Sequence, residues 1–152
     1  DTAASPVAQV GASNPGDVLQ VIIEDISGSF TRHTTNDADL TMTTKTHTKK
    51  EPTNNSKWLF EISYQLSNNV GTSSGMKIDV EMYVDNVQKR SFRTYFQYSS
   101  SNQAEKLQVS GMYVIDDALA DHEIKLVLTD NTSGVVDVTL SNLIYKLTEI
   151  QK

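Results

Sequence analysis

Three histidines, His33, His47 and His122, are the side chains in this sequence best suited to bind a metal or to move a proton. No two of them are two or four residues apart, the local spacing that would make a metal site credible. Each is therefore interpreted as a loop or strand-surface residue, and we predict that His122 caps a backbone carbonyl at the start of an apolar strand. These positions predict no metal site.

A set of four acidic residues in one segment could gather oxygen ligands around calcium: Asp116, Asp117, Asp121 and Glu123. The segment lacks the alternating acidic spacing and the glycine of a dedicated calcium loop, so a solvated turn is the better interpretation. The chain has 19 acidic residues, but nothing marks two of them as the pair that glycoside hydrolysis requires. No GxSxG motif, phosphate-binding glycine loop or cysteine nucleophile occurs. The sequence predicts no catalytic residue and no cofactor, and we expect a protein that is not an enzyme.

Two tyrosines, Tyr83 and Tyr95, have the parity opposite to the apolar residues of their predicted strands, and their neighbours are charged or polar. An outward tyrosine of this kind can stack on a sugar or lie in a subunit interface, because its ring is amphipathic. Both are predicted to be possible surface contacts.

Net charge and composition exclude several classes of protein. The formal charge is −6 and the pI is about 4.9, and the single basic cluster at residues 45–50 is too short for a phosphate-binding surface, so nucleic-acid binding is not expected. No apolar run approaches the roughly 20 residues that span a bilayer, so we predict neither membrane insertion nor a signal peptide. The absence of cysteine excludes disulfides and thiolate metal sites.

The chain of 152 residues is long enough for one domain with a sizeable core. Residues 1–16 are rich in alanine and serine, contain Pro6 and Pro15, and show no periodicity. We interpret this segment as a flexible or tethering N-terminal arm and residues 17–152 as the folded domain.

Alternation of apolar and polar residues predicts strands through most of this domain. The clearest examples are residues 58–66 and 76–84, and the polar, lysine-containing stretch at 39–49 is typical of an exposed sheet edge. In the last third, residues 124–128 and 136–140 flank a turn-forming segment, so we predict a hairpin there, followed by a separate last strand. The total is about nine or ten strands, no segment has helical spacing, and the predicted fold is an all-β jelly-roll sandwich of about 8–10 antiparallel strands.

The first and last predicted strands are apolar on both sides. Residues 18–23 alternate Leu19, Val21 and Ile23 with Val18 and Ile22, and residues 143–150 are similarly two-sided. Such strands require cover on both faces, which a second sheet, or a second sheet and a neighbouring subunit, would supply.

Three stretches together resemble bacteriophage fibre and spike domains: GDVLQVIIED at 16–25, NNSKWLFEISYQL at 54–66, and the segment from HEIKLVL to LIYKLTEI at 122–150. Those domains look like the trimeric jelly rolls of the complement-component and tumour-necrosis-factor-like group. In them the first and last strands are neighbours in an inner sheet that faces a threefold axis. The resemblance therefore implies a homotrimer, with Val18, Ile22, Tyr145 and Leu147 as candidate interface residues.

The function that the resemblance implies is that of a structural module on the virion surface, as a phage fibre, spike or capsid decoration. The arm would bind an upstream stalk or capsid protein, and loops at 68–75, 99–105 and 116–121 would contact a host-surface glycan or protein. Two other hypotheses remain open at this point. One is a monomeric carbohydrate-binding module of a secreted protein that uses Tyr83, Tyr95 or Trp58, and the other is a polysaccharide depolymerase.

Overall fold

The computed structural model describes residues 14–32, 38–51, 54–68, 76–96, 106–130 and 137–152, and within these ranges the chain forms eight β-strands. In chain order they are β1 (Val18–Arg32), β2 (Leu40–Thr48), β3 (Ser56–Asn68), β4 (Met76–Val84), β5 (Val87–Phe96), β6 (Lys106–Ile115), β7 (Asp121–Asp130) and β8 (Val138–Gln151). These ranges contain no helix long and apolar enough to cross a membrane. Most of the predicted N-terminal arm lies outside them.

The strands form two four-stranded antiparallel sheets. Sheet A has the order β1-β8-β3-β6, and sheet B has the order β2-β7-β4-β5. Only β4 and β5 are consecutive strands in the same sheet, because every other connection crosses to the opposite one. This alternation is the topology of a jelly roll, so the predicted fold class is confirmed.

The core lies between the sheets and follows the alternation read from the sequence. On β3 the inward residues Trp58, Phe60, Ile62, Tyr64 and Leu66 are at most 3% exposed. Facing them from sheet B are inward residues of β4 and β7, all buried: Ile78, Val80, Met82, Val84, Ile124, Leu126 and Leu128. Each strand turns one of its two sides towards the opposite sheet. The two-layer sandwich therefore buries the apolar side chains of each alternating strand.

Strand β8 reverses its alternation at Asn142, which has a positive φ of 55°. The buried side chains are even-numbered before Asn142 and odd-numbered after it, namely Val138 and Leu140, then Leu143, Tyr145 and Leu147. The neighbouring strand β1 has its own irregularity between Ile26 and Ser29, where Gly28 has a φ of 91°. The bulge in β8 explains why the sequence suggests two separate strands in a segment that forms one long strand.

The hairpin predicted in the last third is wrong. Strand β7 pairs with β2 and β4 in sheet B, whereas β8 pairs with β1 and β3 in sheet A. The connection between β7 and β8 therefore crosses the sandwich, although its turn-forming residues resemble those of a hairpin.

A turn and an edge strand agree with the residue types at their positions. The turn at Asp85 and Asn86 joins β4 to β5, and both residues have positive φ, 52° and 65°, as a two-residue hairpin loop requires. The polar strand β2 is an edge strand of sheet B. Its lysine and threonine side chains fit a position where unpaired backbone groups face solvent.

Buried charged groups tie the loops to the sandwich. The Glu149 carboxylate is 0% exposed and accepts hydrogen bonds from the Ser56 hydroxyl, the Gln20 amide and the backbone N–H groups of Lys50 and Glu51. Burial raises the pKa of Glu149, but these donors outweigh it and hold the pKa below its ordinary value. The carboxylate is therefore ionised and fixes the chain between β2 and β3.

Candidate interaction surface

The outward side of sheet A is the candidate interaction surface. The pairing of its four strands arranges the side chains on this side in rows. One row consists of Ile23, Lys146, Glu61 and Met112 on β1, β8, β3 and β6. The next row towards the end of β8 consists of Val21, Thr148, Leu59 and Val114. On the other side of the first row lie Asp25, Ile144, Ser63 and Ser110. We call this surface the A face.

Apolar side chains on the A face are exposed to an unusual degree. Ile23 is 65% exposed, Met112 57%, Val21 50% and Val114 47%. They lie on the two edge strands, while the central strands contribute a single ion pair in which Lys146 Nζ is 3.3 Å from a Glu61 carboxylate oxygen. Large exposed apolar patches rimmed by polar groups are typical of surfaces that bind another protein.

A depression on the A face surrounds this ion pair. It has a volume of about 530 Å³ and is lined mainly by Glu61, Ser63, Met112, Ile144 and Lys146. That volume suits a small molecule, but the depression is open and its two charged groups pair with each other rather than converging on a ligand. The arrangement fits a protein surface better than a pocket for a cofactor.

The outward side of sheet B, the B face, has a different character. The Asp79 carboxylate, which is 2% exposed, accepts two hydrogen bonds of 2.8 Å from the Arg93 guanidinium. The Lys125 ammonium lies 4.6 Å from the centre of the Tyr83 ring. The Asp79 carboxylate is thus paired within the chain, and the Lys125 ammonium lies over an aromatic ring, so both charged groups already have a contact on the B face.

Tyr83 and Tyr95 lie on the B face, as their parity predicts, and their role as contacts stays a prediction. Tyr95 is 56% exposed, with the Lys77 ammonium 5.9 Å from its ring centre, whereas Tyr83 is half-buried. Trp58 is 0% exposed in the core. It cannot serve as a stacking platform for a sugar, and only the tyrosines remain for that hypothesis.

The four residues expected at an intersubunit surface are not together on one face. Tyr145 and Leu147 are at most 1% exposed and lie between the sheets, so neither can contact another subunit, which corrects the expectation. Tyr145 is held there by a 2.8 Å hydrogen bond between its hydroxyl and His47 Nε2. Ile22 is half-buried against the core, and Val18 is 58% exposed at the start of β1. Of the four, only Val18 is open to a partner.

The histidines in the described part of the chain have structural roles. Burial lowers the pKa of His47, which favours the neutral ring that bonds Tyr145. The buried His122 ring lies between two carboxylates, with Nδ1 2.8 Å from Asp85 and Nε2 2.9 Å from Asp117. The hydrogen-bond partner of His122 is thus the Asp85 carboxylate and not the expected backbone carbonyl. His33 lies outside the described residues.

Candidate metal ligands can be examined in the described residues. Within the six described ranges, no three histidine or acidic side chains are close enough to hold a metal ion.

The loop at 116–121 adjoins Ile115, which pairs with Trp58 near the end of sheet A where β1 begins. The strand ends flanking 69–75 and 97–105 lie at the opposite end, and those two loops are outside the described residues. The strand ends next to the three loops proposed for host contact therefore do not all lie at one end of the sandwich.

Sequence reasoning proposed as interface contacts none of the exposed residues that define the A face: Val21, Ile23, Met112, Val114 and Ile144. A signal was present, because β1, β6 and β8 are apolar at both parities, which a strand with one face in water does not need. The parity of each strand could not say which apolar side faces the core.

Comparisons with known proteins show the fold and no family. No protein-family model and no curated protein matches the sequence. A chain of the T=1 particles derived from infectious bursal virus is similar in structure, with a TM-score of 0.52 and 9% identity over 87% of this chain and 36% of that chain. A chain of the infectious bursal disease virus Gt strain gives a TM-score of 0.50 and 8% identity over 87% and 33%.

A third similar structure is the latent PorU of Porphyromonas gingivalis, with a TM-score of 0.46, 12% identity, and 87% of this chain matched to 13% of that one. The present chain thus spans about a third of the viral chains and a smaller part of PorU. At these identities the likeness to the two viral chains establishes a shared β-sandwich fold.

Proposed function

We propose that this chain is a non-enzymatic structural module of a virus particle, a phage fibre, spike or capsid decoration, that assembles as a homotrimer through its A face. The observation that carries the proposal is the exposure of Val21, Ile23, Met112 and Val114 on a sandwich whose core is otherwise complete. An isolated protomer leaves these side chains in water, whereas a copy packed against them would bury them at about 25 cal/mol per Å² of apolar surface.

The fold supports this proposal. Jelly rolls occur in viral capsid and lectin domains, and the similar structures of viral origin have the same sandwich. The position of the terminal strands also agrees with the proposed trimer, since β1 and β8 are neighbours in sheet A.

The module would sit on the virion surface with its N-terminal arm attached to a stalk or capsid protein. The backbone at Gly16 and Asp17 bonds to Gln151, so the arm leaves from the end of the sandwich that carries the 116–121 loop. Host contact would then use the opposite end, where the loops after β3 and β5 begin. Rigid sandwiches often present recognition loops in this way.

The first test of the proposal is the mass of the full chain in solution, measured by light scattering over a range of concentrations. We expect a mass of three chains, which falls to one chain in an Ile23→Asp variant. The matched control is Tyr95→Asp on the B face, because Tyr95 is 56% exposed and Ile23 65%. A monomeric wild type, or equal loss of mass in both variants, would contradict assembly through the A face.

The virion role needs a separate test on particles. We expect peptides of this chain in mass spectra of purified particles of the virus whose genome encodes it, and antibody labelling on their outer surface. Absence of the chain from particles would overturn the virion role even if the trimer were found.

A monomeric carbohydrate-binding module is the second candidate, favoured by the exposed ring of Tyr95 beside Lys77. It predicts binding to immobilised glycans that a Tyr95→Ala variant loses and an Ile23→Asp variant keeps. A monomer with this behaviour would replace the proposed function.

A further inference from the structure

We infer that copies of this chain assemble around an axis parallel to the strands. The β1 edge of each A face meets the β6 edge of the next copy, and each row of side chains lies at the same position along the axis as the same row of the next copy. This inference rests on the proposed trimer and names its contacts. Ile23 would contact Met112 of the next copy, and Val21 would contact Val114.

The arrangement of charge on the A face is the first argument. Lys146 on β8 and Glu61 on β3 occupy the two central strands of one row, and both side chains are partly exposed, at 43% and 38%. Rotation about an axis parallel to the strands keeps this row at one height in every copy. Three copies would then bring three lysines and three glutamates together in alternating order, so each charge has opposite neighbours on both sides.

The apolar edges are the second argument. In the row of the ion pair, Ile23 lies at the β1 edge and Met112 at the β6 edge. The next row has Val21 at the β1 edge and Val114 at the β6 edge. A head-to-tail ring joins opposite edges of successive copies, so each apolar side chain meets another apolar side chain of the same row.

The occupant of the A face is therefore a second copy of the chain rather than an unrelated protein. In such a ring, opposite charges of neighbouring copies meet at the centre of the A face, and apolar side chains meet at its edges. A surface that binds an unrelated protein does not need to match itself in this way.

Disulfide trapping tests the row matching directly, since the sequence contains no cysteine. In an Ile23→Cys, Met112→Cys double variant, the two positions within one copy are three strands apart, about 14 Å at the usual strand spacing. A disulfide needs Cα atoms within about 7 Å, so an intrachain bond cannot form. We expect oxidised glutathione to convert most of the chain into covalent trimers on a non-reducing gel.

The matched control is an Ile23→Cys, Ser110→Cys double variant. Ser110 lies on the same face of β6 as Met112 but one row away, about 7 Å along the strand. We expect it to yield at least tenfold less covalent trimer. Equal trapping of both variants, or trapping of neither while the wild type remains trimeric, would overturn the row matching and leave the proposed trimer intact.

Charge reversal tests the central ring. Glu61→Lys or Lys146→Glu alone would bring six like charges together, so we expect each to reduce the mass to one chain, and the double reversal to restore three. Lys89→Glu, an exposed position on β5, should leave the mass unchanged. If both single reversals keep the trimer, the charge ring is refuted; if the wild type is a monomer, the proposed function itself fails.

Discussion

Replacement of Glu149 by glutamine should strongly destabilise the protein. The Glu149 carboxylate accepts four hydrogen bonds of 2.7–2.9 Å, two at each oxygen. Glutamine keeps the shape of the side chain but replaces one oxygen with an NH2 group. The two donors at that oxygen would lose their acceptor, and one of them is a backbone N–H, of Lys50 or Glu51, which cannot accept from the new NH2 group. Buried donors without an acceptor are costly.

The magnitude follows from these contacts. Hydrogen bonds to a charged group contribute about 1.5–3 kcal/mol each, so the loss of two predicts a decrease of about 3–6 kcal/mol in the free energy of unfolding. A suitable comparison is Glu24→Gln, which removes a partly exposed ion pair with Lys45. That change should cost about 1 kcal/mol or less.

The assay is urea unfolding followed by circular dichroism, on the wild type and both variants, from pH 7 down to pH 3. Because the folded-state pKa of Glu149 is lowered, its stabilisation is fully present above the unfolded value near 4.5 and is lost as the pH falls through the folded value. The difference between the wild type and Glu149→Gln should therefore narrow below about pH 4.5. A difference under about 1 kcal/mol at pH 7, or one that is independent of pH, would refute the role assigned to the carboxylate.

Three further predictions concern the core. A Cβ at position 111 would lie 2.4 Å from the Phe92 ring, so Gly111→Ala should lower the unfolding free energy by about 1–3 kcal/mol, and adding Phe92→Leu should recover part of it in the same urea assay. Tyr145→Phe removes the hydroxyl bonded to His47, and calorimetry should show a loss of about 1–2 kcal/mol; no change would mean that the bond is not formed in solution. Burial lowers the pKa of His47, so as the pH falls the unfolded chain binds a proton at this histidine before the folded chain does. The wild type should therefore lose more stability than His47→Asn as the pH falls below about 6.5.

Much of the fold could be predicted from the sequence wherever a strand has one apolar side. On β3 and β4 the alternation determines both the strand and its buried face, because only one parity can enter the core. The Asp85–Asn86 turn was equally predictable, since few residue pairs tolerate positive φ at both positions.

The prediction failed where the alternation breaks within a strand. Asn142 shifts the parity of β8, and the sequence on either side of it therefore resembles two strands separated by a polar residue. The pairing of β7 was also beyond local reasoning, because its partners β2 and β4 are distant in sequence.

The candidate surface was predicted only in outline. Two-sided strands at both ends of the chain indicated a second apolar face, but Tyr145 was expected to face a partner and instead packs against Phe60 and bonds to His47. Those contacts join residues of different strands, so no pattern within β8 could reveal them. Once the side of each strand that faces the core is known, the other side is the exposed one.

The backbone bonds between Gly16, Asp17 and Gln151 have a consequence for how such a domain can spread between genes. The two chain ends of the sandwich therefore lie side by side. In a longer polypeptide, the segments before and after this domain would be held close together. A gene segment of this kind can be inserted into a surface loop of another protein without separating the residues on either side of that loop. Recombination could thus move the whole sandwich from one protein to another as a single unit.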